Sequence, residues 1–309
     1  MKVHQTIESF SKKNIPTVLT IGTFDGVHIG HQKIIERLNE LKKESLDSAI
    51  LTFYPHPRRV LGKDHQIQML NSFGEKKELL TKYKLDHLIV EPFTERFSQI
   101  SAEDFVKKIL VEELNVNKLV IGHDHKFGKN RAGDFDKLVE LSKVYGFEVE
   151  EIPSQDIENI AVSSTKIRKA LLAGEILLAN RYLGYPYMLS GKVVKGHGIG
   201  RTINFPTLNL QIEEDYKLVP KNGVYLVKTS YDGMILHGLM NIGTRPTLNG
   251  QNQSIEVYLL DFSGDLYGKF LRVEILNRLR DEVKFDSIGE LKKQIAADEL
   301  LARNWLKNK

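Results

Sequence analysis

A loop between an apolar run and a helical pattern constrains the fold of this chain more than any other stretch. The run Thr17–Ile21 is apolar and partly β-branched, which predicts a buried strand. The loop Gly22–His31 follows directly, and apolar residues then recur at helical spacing over Gly30–Glu44. This order of strand, glycine loop and helix places backbone N–H groups at a helix N-terminus, where phosphate binds favourably. We therefore expect a phosphate site on an α/β sheet.

Two histidines in this loop are candidates for catalysis. His28 and His31 lie three residues apart, the second in the first helical turn, so that both rings can face one anion. Each donates an N–H, and each can carry charge near neutral pH. A bare His-x-x-His pair is more often structural, and Asp25-Gly26 alone indicates a tight turn. The segment is neither a Walker loop nor the dinucleotide-binding Gly-x-Gly-x-x-Gly.

Length and composition set limits on the class of protein. The 309 residues are enough for two domains, and 41% hydrophobic with 27% charged residues is an ordinary globular balance. No run approaches the roughly 20 apolar residues of a membrane helix, and the first residues lack the apolar core of a signal peptide. The chain has 0 cysteines, which excludes disulfides and thiolate chemistry. We expect a cytoplasmic enzyme with small-molecule partners, no membrane and, because no basic run is long, no nucleic acid; the oligomeric state is not predicted.

The N-terminal half alternates between strand-like and helical patterns, which predicts a parallel sheet with helices on both faces. The predicted strands after Thr17–Ile21 are Ser48–Phe53, His87–Val90, Lys118–Ile121 and Phe147–Glu151. The predicted helices are Gly30–Glu44, Gly74–Tyr83, Ala102–Leu114, Asp134–Tyr145, Ser164–Leu172 and Glu175–Tyr182. Ligands bind at the carboxyl ends of such strands. The candidate site loops are therefore Gly22–His31, Tyr54–Arg59, Glu91–Phe97 and Gly122–Gly133.

The C-terminal half has a different pattern, and we place the domain boundary at Gly184–Pro186, giving domains 1–184 and 185–309. Short β-rich runs punctuated by Gly and Pro predict a small antiparallel barrel. These runs are Met188–Val194, Tyr225–Thr229, Ile235–Met240, Ile255–Leu260 and Phe270–Ile275. A closing helix is predicted over Ile288–Trp305.

Three further N-terminal segments carry candidate residues. In Pro55-His56-Pro57, two prolines stiffen a loop that is either a simple turn or a rigid surface for a flat ring. The segment around Asp124 is typical of a solvated polar turn. Ser164 and Thr165 can cap a helix, and Arg168, four residues after Ser164, is placed to clamp phosphate.

These segments resemble the bacterial FAD synthetases, a branch of the nucleotidyltransferase superfamily. The likeness includes Gly-x-Phe-Asp-Gly-x-His-x-Gly-His, Phe-x-Pro-His-Pro and Ser-Ser-Thr-x-Ile-Arg, while His125 stands where the family usually has Phe. It implies a Rossmann-like domain that transfers AMP from ATP to FMN and releases pyrophosphate. By the resemblance, ATP is handled by Gly22, Phe24, Asp25, His28, Gly30, His31, Ser164, Thr165 and Arg168. The flavin is placed near Pro55, His56, Pro57 and Asp124.

The C-terminal half carries a second set of candidates. Gly196, Gly198 and Gly200 form a glycine-rich segment that can fold over phosphates, although barrel hairpins also collect glycine. Thr207 and Asn209 alternate onto one face, where their oxygens suit magnesium; a capped turn is about equally compatible.

Glu256 alternates with apolar residues, which leaves two interpretations. It lies either on the solvent face of a strand, or at the barrel mouth, where it could take a proton from a substrate hydroxyl.

This half resembles the riboflavin kinases. The likeness rests on Gly-x-Val-x-x-Gly, Phe-Pro-Thr-x-Asn, Gly243-Thr244-Arg245-Pro246-Thr247 and later segments, with Asn204 replacing a usual glycine. It implies that Thr207 and Asn209 bind Mg²⁺ and ATP phosphate, that Glu256 is the base and that Arg245 contacts flavin.

Together the two likenesses span nearly the whole chain in the order of the bifunctional riboflavin kinase/FMN adenylyltransferase family. The expected function is FMN and FAD synthesis, with riboflavin, FMN and ATP as substrates. Two alternatives are another nucleotidyltransferase with a β-barrel appendage, which would not need the C-terminal motifs, and an RNA-binding protein. The latter would show a basic face with exposed aromatic residues, whereas charges in the barrel half are dispersed.

Overall fold

The structure is a computed structural model. It describes residues 1–11, 15–43, 45–62, 67–123, 125–153, 156–157, 160–195, 205–247 and 250–308. These residues form two compact units, Met1–Ser164 and Thr165–Lys309.

The first unit is built on a parallel sheet in the order β1-β4-β3-β2-β5-β6. Its strands are β1 Lys2–His4, β2 Thr17–Ile21, β3 Asp47–Tyr54, β4 His87–Pro92, β5 Val116–Gly122 and β6 Glu148–Ile152, and a separate short pair consists of β7 Asp156–Ile157 and β8 Ile160–Ala161. All five residues of β2 are buried, as the apolar run predicts. After β4 the chain crosses β2 to form β5 on its other side, so the end of β2 lies at the topological switch point, where ligands bind in such sheets.

Helices connect these strands. Their bounds are α1 Ile7–Ser11, α2 Ile29–Leu41, α3 Pro57–Val60, α4 Phe73–Thr81, α5 Glu95–Ser98, α6 Ala102–Asp104 and α7 Phe135–Tyr145. The predicted helix Ala102–Leu114 is a single α-turn followed by a π-helix over Phe105–Glu113, in which the Leu114 N–H donates to the carbonyl of Ile109. A 3₁₀ turn lies at Lys129–Arg131.

The second unit is a closed antiparallel barrel in the order β10-β13-β12-β11-β14-β9. Its strands are β9 Met188–Val194, β10 Thr207–Gln211, β11 Gly223–Tyr231, β12 Met234–Thr247, β13 Gly250–Leu259 and β14 Phe270–Arg280. Two helices precede the barrel strands in the sequence and one follows them: α8 Ser164–Ala173, α9 Ile176–Leu183 and α10 Ile288–Lys307. The predicted fold class, a parallel sheet followed by a barrel with a closing helix, is confirmed.

Helix α9 is tied to the barrel by the side chain of Asn180. Its Nδ2 donates to the carbonyl of Ile275 at 2.9 Å, and its Oδ1 accepts from the Tyr187 N–H at 2.7 Å. The Lys221 N–H similarly donates to the carbonyl of Leu171. The compact units therefore part after Ser164, whereas the boundary predicted from the sequence follows α9.

Helix α10 closes the barrel through a buried ion pair and an apolar cluster. Asp298, 1% exposed, accepts hydrogen bonds from Nε and Nη2 of Arg280 on β14. Beside this pair, Ala302 packs with Leu226 and Leu239 of the barrel, and Trp305 lies against the same cluster. The ion pair thus fixes the helix where the apolar contact forms.

We predict that Asp298→Ala destabilises the second unit by about 3 kcal/mol, because it leaves a largely buried arginine without its carboxylate. Urea unfolding followed by the fluorescence of Trp305, the 1 tryptophan of the chain, measures this. Glu299→Ala is the control, since its ion pair with Arg303 on the same helix is partly exposed and should change stability by at most about 1 kcal/mol. Equal losses in the two variants would contradict the role given to Asp298.

Candidate active sites

The loop after β2 has an unusual backbone. Phe24 has φ 48° and Val27 has φ 36°, a left-handed region that costs non-glycine residues about 1–3 kcal/mol each. The conformation is held locally, because the Val27 N–H donates to the Phe24 carbonyl and Gln32 Nε2 donates to the Val27 carbonyl at 2.8 Å. Such strain persists only where surrounding contacts over-determine the backbone.

Asp25 supplies the long-range contacts that hold the loop. Its side chain is almost fully buried, and Oδ1 accepts from the backbone N–H groups of Leu70 at 2.9 Å and Asn71 at 3.4 Å. Its carbonyl accepts from Ser164 Oγ at 2.8 Å. The structure therefore brings together Asp25 and Ser164, two of the residues predicted to handle ATP.

His28 and His31 form a stacked pair at the start of α2. Their ring centroids are 3.7 Å apart with an interplanar angle of 18°, and the Phe24 ring lies 4.9 Å from that of His31. A Cβ on Gly30 would come within 3.3 Å of the His28 ring, so glycine leaves room for this ring. His28 precedes the helix and His31 lies in its first turn, as the sequence predicts.

Burial changes the charge expected of His31. Desolvation lowers its pKa well below the ordinary 6.5, and the positive charges of His28 and Lys76 lower it further. From the sequence, each ring can carry charge near neutral pH; the lowered pKa of His31 favours its neutral form instead. Sequence reasoning missed this because it could not establish how deeply the ring is buried.

The proline segment forms a short helix at the carboxyl end of β3. His56 caps α3 by accepting from the Arg58 N–H at its Nδ1, and Pro57 is the first helical residue. Pro55 precedes them after a cis peptide bond. Asp124, the other residue predicted to contact flavin here, lies outside the described residues, while the His125 ring stacks with Phe127 at a centroid distance of 6.1 Å.

Thr165 and Arg168 lie on α8, in the compact unit that begins at Thr165. Their predicted contact with ATP stays a prediction. The same holds for Gly22, where a Cβ would come within 3.1 Å of the Phe24 ring.

In the barrel, strand register brings three predicted residues together. Asn209 on β10 is directly opposite Glu256 on β13, and Thr207 Oγ1 donates to Glu256 Oε2 at 3.4 Å. On the other side of β13, Asn241 of β12 is also opposite Glu256. Sequence reasoning missed Asn241, because register between distant strands is not visible in a single sequence.

The solvent-face alternative for Glu256 does not fit its environment, whereas its role as a base stays a prediction. Its neighbours Ile255 and Val257 are buried, whereas Glu256 is half-buried on the opposite face. On that face Tyr258 packs with the cluster around α10. The carboxylate is therefore beside polar groups and not on a bare solvent-facing strand.

Thr207 also lines a cleft of about 390 Å³, together with residues 262–267. This volume lies in the range of small-molecule sites. The glycines Gly196, Gly198 and Gly200, as well as Asn204, lie outside the described residues. Arg245 lies on β12, with its side chain also outside the described part of the chain.

The donor set beside Glu256 suits a cation that is shared with substrate phosphates. Within the described ranges there is no group of three or more His, Cys, Asp or Glu side chains able to hold a metal ion. The Thr207 hydroxyl contacts the Glu256 carboxylate, and Asn209, which carries an amide oxygen, is opposite Glu256 in the strand register. Mg²⁺ typically takes few protein oxygens and completes its shell with phosphates and water.

Two residues near the histidine loop were not singled out from the sequence. Lys76 is only 8% exposed although its side chain is charged. The amide of Asn71 is buried, and neither of its polar atoms has a hydrogen-bond partner among the described residues. The spacing of Lys76 with Leu79 and Leu80 on the apolar face of α4 is the signal that could have revealed the buried lysine.

Comparison with known proteins finds a different family model in each half of the chain. The family model for FAD synthetase matches residues 10–166, and the model for riboflavin kinase matches residues 183–306. Relatives described as bifunctional riboflavin kinase/FMN adenylyltransferase occur in Escherichia coli K12, with 39% identity over 93% of this chain and 92% of that one, and in Haemophilus influenzae, with 41% identity over 91% of each. A third, from Buchnera aphidicola of Acyrthosiphon pisum, is 37% identical over 99% of this chain and 98% of that one. The chain belongs to the bifunctional riboflavin kinase/FMN adenylyltransferase family.

A solved structure has the same fold over nearly the whole chain. It is described as a macrolide-efflux protein from Streptococcus pneumoniae, and it matches with a TM-score of 0.88 and 30% identity over 98% of this chain and 99% of that chain. In the described part of this chain, no helix is long and apolar enough to span a membrane.

The depressed pKa of His31 predicts acid sensitivity of the first unit. Because the folded state resists protonation while the unfolded histidine titrates at 6.5, the stabilising contribution is present above pH 6.5 and is lost as the pH falls toward the folded pKa. The loss is at most about 1.4 kcal/mol per pH unit in that window. Calorimetry at pH 7.5 and 5.5 should show a smaller loss in His31→Gln than in the wild type.

The exposed His123 provides the control, since His123→Gln should keep the acid sensitivity of the wild type. Identical pH dependence in the wild type and His31→Gln would show that burial of this ring does not disfavour its protonation.

Proposed function

We propose that the N-terminal domain, residues 1–184, transfers AMP from ATP to FMN at the stacked His28/His31 pair, and that the barrel phosphorylates riboflavin beside Glu256. Both activities follow from the family, since FAD synthetase and riboflavin kinase domains occur in this order. The product of the barrel reaction, FMN, is the substrate of the other reaction. The products are therefore FMN and ADP, then FAD and pyrophosphate.

The adenylyl transfer needs positioning and charge stabilisation more than covalent catalysis. A phosphate oxygen of FMN attacks the α-phosphorus of ATP, and the bond to pyrophosphate breaks. His28 and His31 lie at the N-terminus of α2, where ring and backbone N–H groups can donate to the charge that develops. The stacked geometry of the pair is the observation that supports this assignment.

The other residues assigned to the first reaction either maintain the shape of the loop or are proposed to contact a ligand. Phe24 and Asp25 maintain the loop, and Gly22 and Gly30 give the rings of Phe24 and His28 their space. Ser164, Thr165 and Arg168 are proposed to bind ATP. The rigid segment Pro55–Pro57 is proposed to receive the flavin.

In the barrel, Glu256 is proposed as the general base. It removes the proton from the terminal hydroxyl of riboflavin as that oxygen attacks the γ-phosphorus, and ADP leaves. Thr207 and Asn209 would hold Mg²⁺, which neutralises phosphate charge when it is bound. The pairing of Asn209 with Glu256 supports placing base and phosphate together.

We assign the two functional domains to 1–184 and 185–309, with most of α8 and α9 in the interval between the two matched segments. A cytoplasmic location remains a prediction.

His31→Ala should lower FAD formation from FMN by about two to three orders of magnitude, the scale for one preorganised donor. FMN formation from riboflavin should stay within about twofold, since the barrel does not contain this residue. Chromatography of flavins after incubation with ATP and Mg²⁺ measures both. An equal fall in both activities would assign His31 to folding instead.

Glu256→Gln should lower FMN formation from riboflavin by a factor of about 10² to 10⁴, because the amide cannot accept the proton. The variant should remain folded and should still make FAD from added FMN. Glu213→Gln, an exposed change in the same unit, is the control and should leave both rates unchanged. Near-normal FMN production by Glu256→Gln would leave the kinase without its proposed base.

A further inference from the structure

Lys76 occupies a position that lysine rarely takes. It lies on α4, whose start is fixed by a capping box between Ser72 and Glu75, and it is 8% exposed. The next residue, Lys77, is exposed. Lysine is almost never buried unless its ammonium is paired, because desolvating a charge is costly.

The ammonium is directed at the backbone of the histidine loop. Lys76 Nζ donates to the carbonyl of Thr23 at 2.7 Å, and Thr52 Oγ1 donates to the same carbonyl at 3.4 Å. In a trans peptide the carbonyl and the following N–H point in opposite directions. The lysine therefore fixes the direction of the Phe24 N–H, which points away from α4.

Lys76 also acts electrostatically within the loop. Burial lowers the pKa of its ammonium, while the buried carboxylate of Asp25 opposes that change. Burial is the largest cause of the lowered pKa of His31, and the charges of His28 in the loop and of Lys76 on α4 lower it further. The Lys76 side chain thus contacts the backbone of the histidine loop and also lowers the pKa of His31.

We propose that Lys76 is a positioning residue for adenylyl transfer: its ammonium holds the Thr23–Phe24 peptide in one orientation beside the stacked histidines. The residue acts through the loop and through His31 and does not touch the reacting phosphates. The inference rests on the proposed role of the histidine pair.

Lys76→Met removes the charge and the donor while keeping a similar length. We expect FAD formation from FMN to fall about 10- to 100-fold, the scale for a displaced catalytic group. The pKa of His31, followed by NMR of the labelled imidazole rings and identified with His31→Gln, should rise but stay below 6.5, because burial of the ring remains. Its contribution to the pH profile of kcat/KM should move to higher pH. FMN formation by the same molecules should stay within twofold.

Two further variants make the test specific. Lys77→Met removes a charge one residue away on the exposed side of the helix and should change neither the rate nor the titration of His31. Lys76→Arg keeps the charge and should keep the pKa of His31 low. This variant also provides the test if Lys76→Met does not fold.

The proposal is overturned if folded Lys76→Met has the FAD rate and the His31 titration of the wild type. It is equally overturned if Lys76→Arg raises the pKa of His31 to the ordinary value. These outcomes differ from a failure of the proposed function, in which the wild type itself makes no FAD.

Discussion

The hydrogen bonds of Asp25 are the interaction on which the histidine loop depends. The loop places non-glycine residues Phe24 and Val27 in the left-handed region, which is unfavourable without compensation. The buried carboxylate of Asp25 compensates by accepting hydrogen bonds from two backbone N–H groups in the segment before α4. The backbone carbonyl of Asp25 accepts a hydrogen bond from the Ser164 hydroxyl. Segments distant in sequence thereby meet at the end of β2. The stacked histidines are a consequence of this anchored backbone.

In the barrel, the register between paired strands brings the polar residues of the proposed site together. Antiparallel pairing sets Asn209 and Asn241 on either side of Glu256. A slip of one residue in the pairing of β10 or of β12 with β13 would carry the asparagine of that strand to the opposite face. The ion pair of Arg280 with Asp298 and the apolar cluster hold α10 against that face. The strand pairing that closes the barrel therefore also determines the position of the proposed base.

Much of this organisation could be predicted from local pattern. The strand Thr17–Ile21 and the helix after it were predicted to within a few residues, because burial on both faces and helical periodicity leave clear signals. The strand Lys2–His4 was missed, because three residues are too few to show a period. The lowered pKa of His31 and the burial of Lys76 depend on contacts with residues distant in sequence, which a local pattern does not contain.

The central claim is that one chain uses two different phosphates of ATP for two successive reactions. The direct test incubates the full-length protein with riboflavin, Mg²⁺ and ATP labelled at either the α- or the γ-phosphate. The account predicts that, among the flavins, γ-label appears in FMN and then in FAD, whereas α-label appears in FAD and not in FMN. Absence of γ-label from FMN, or of α-label from FAD, would contradict it.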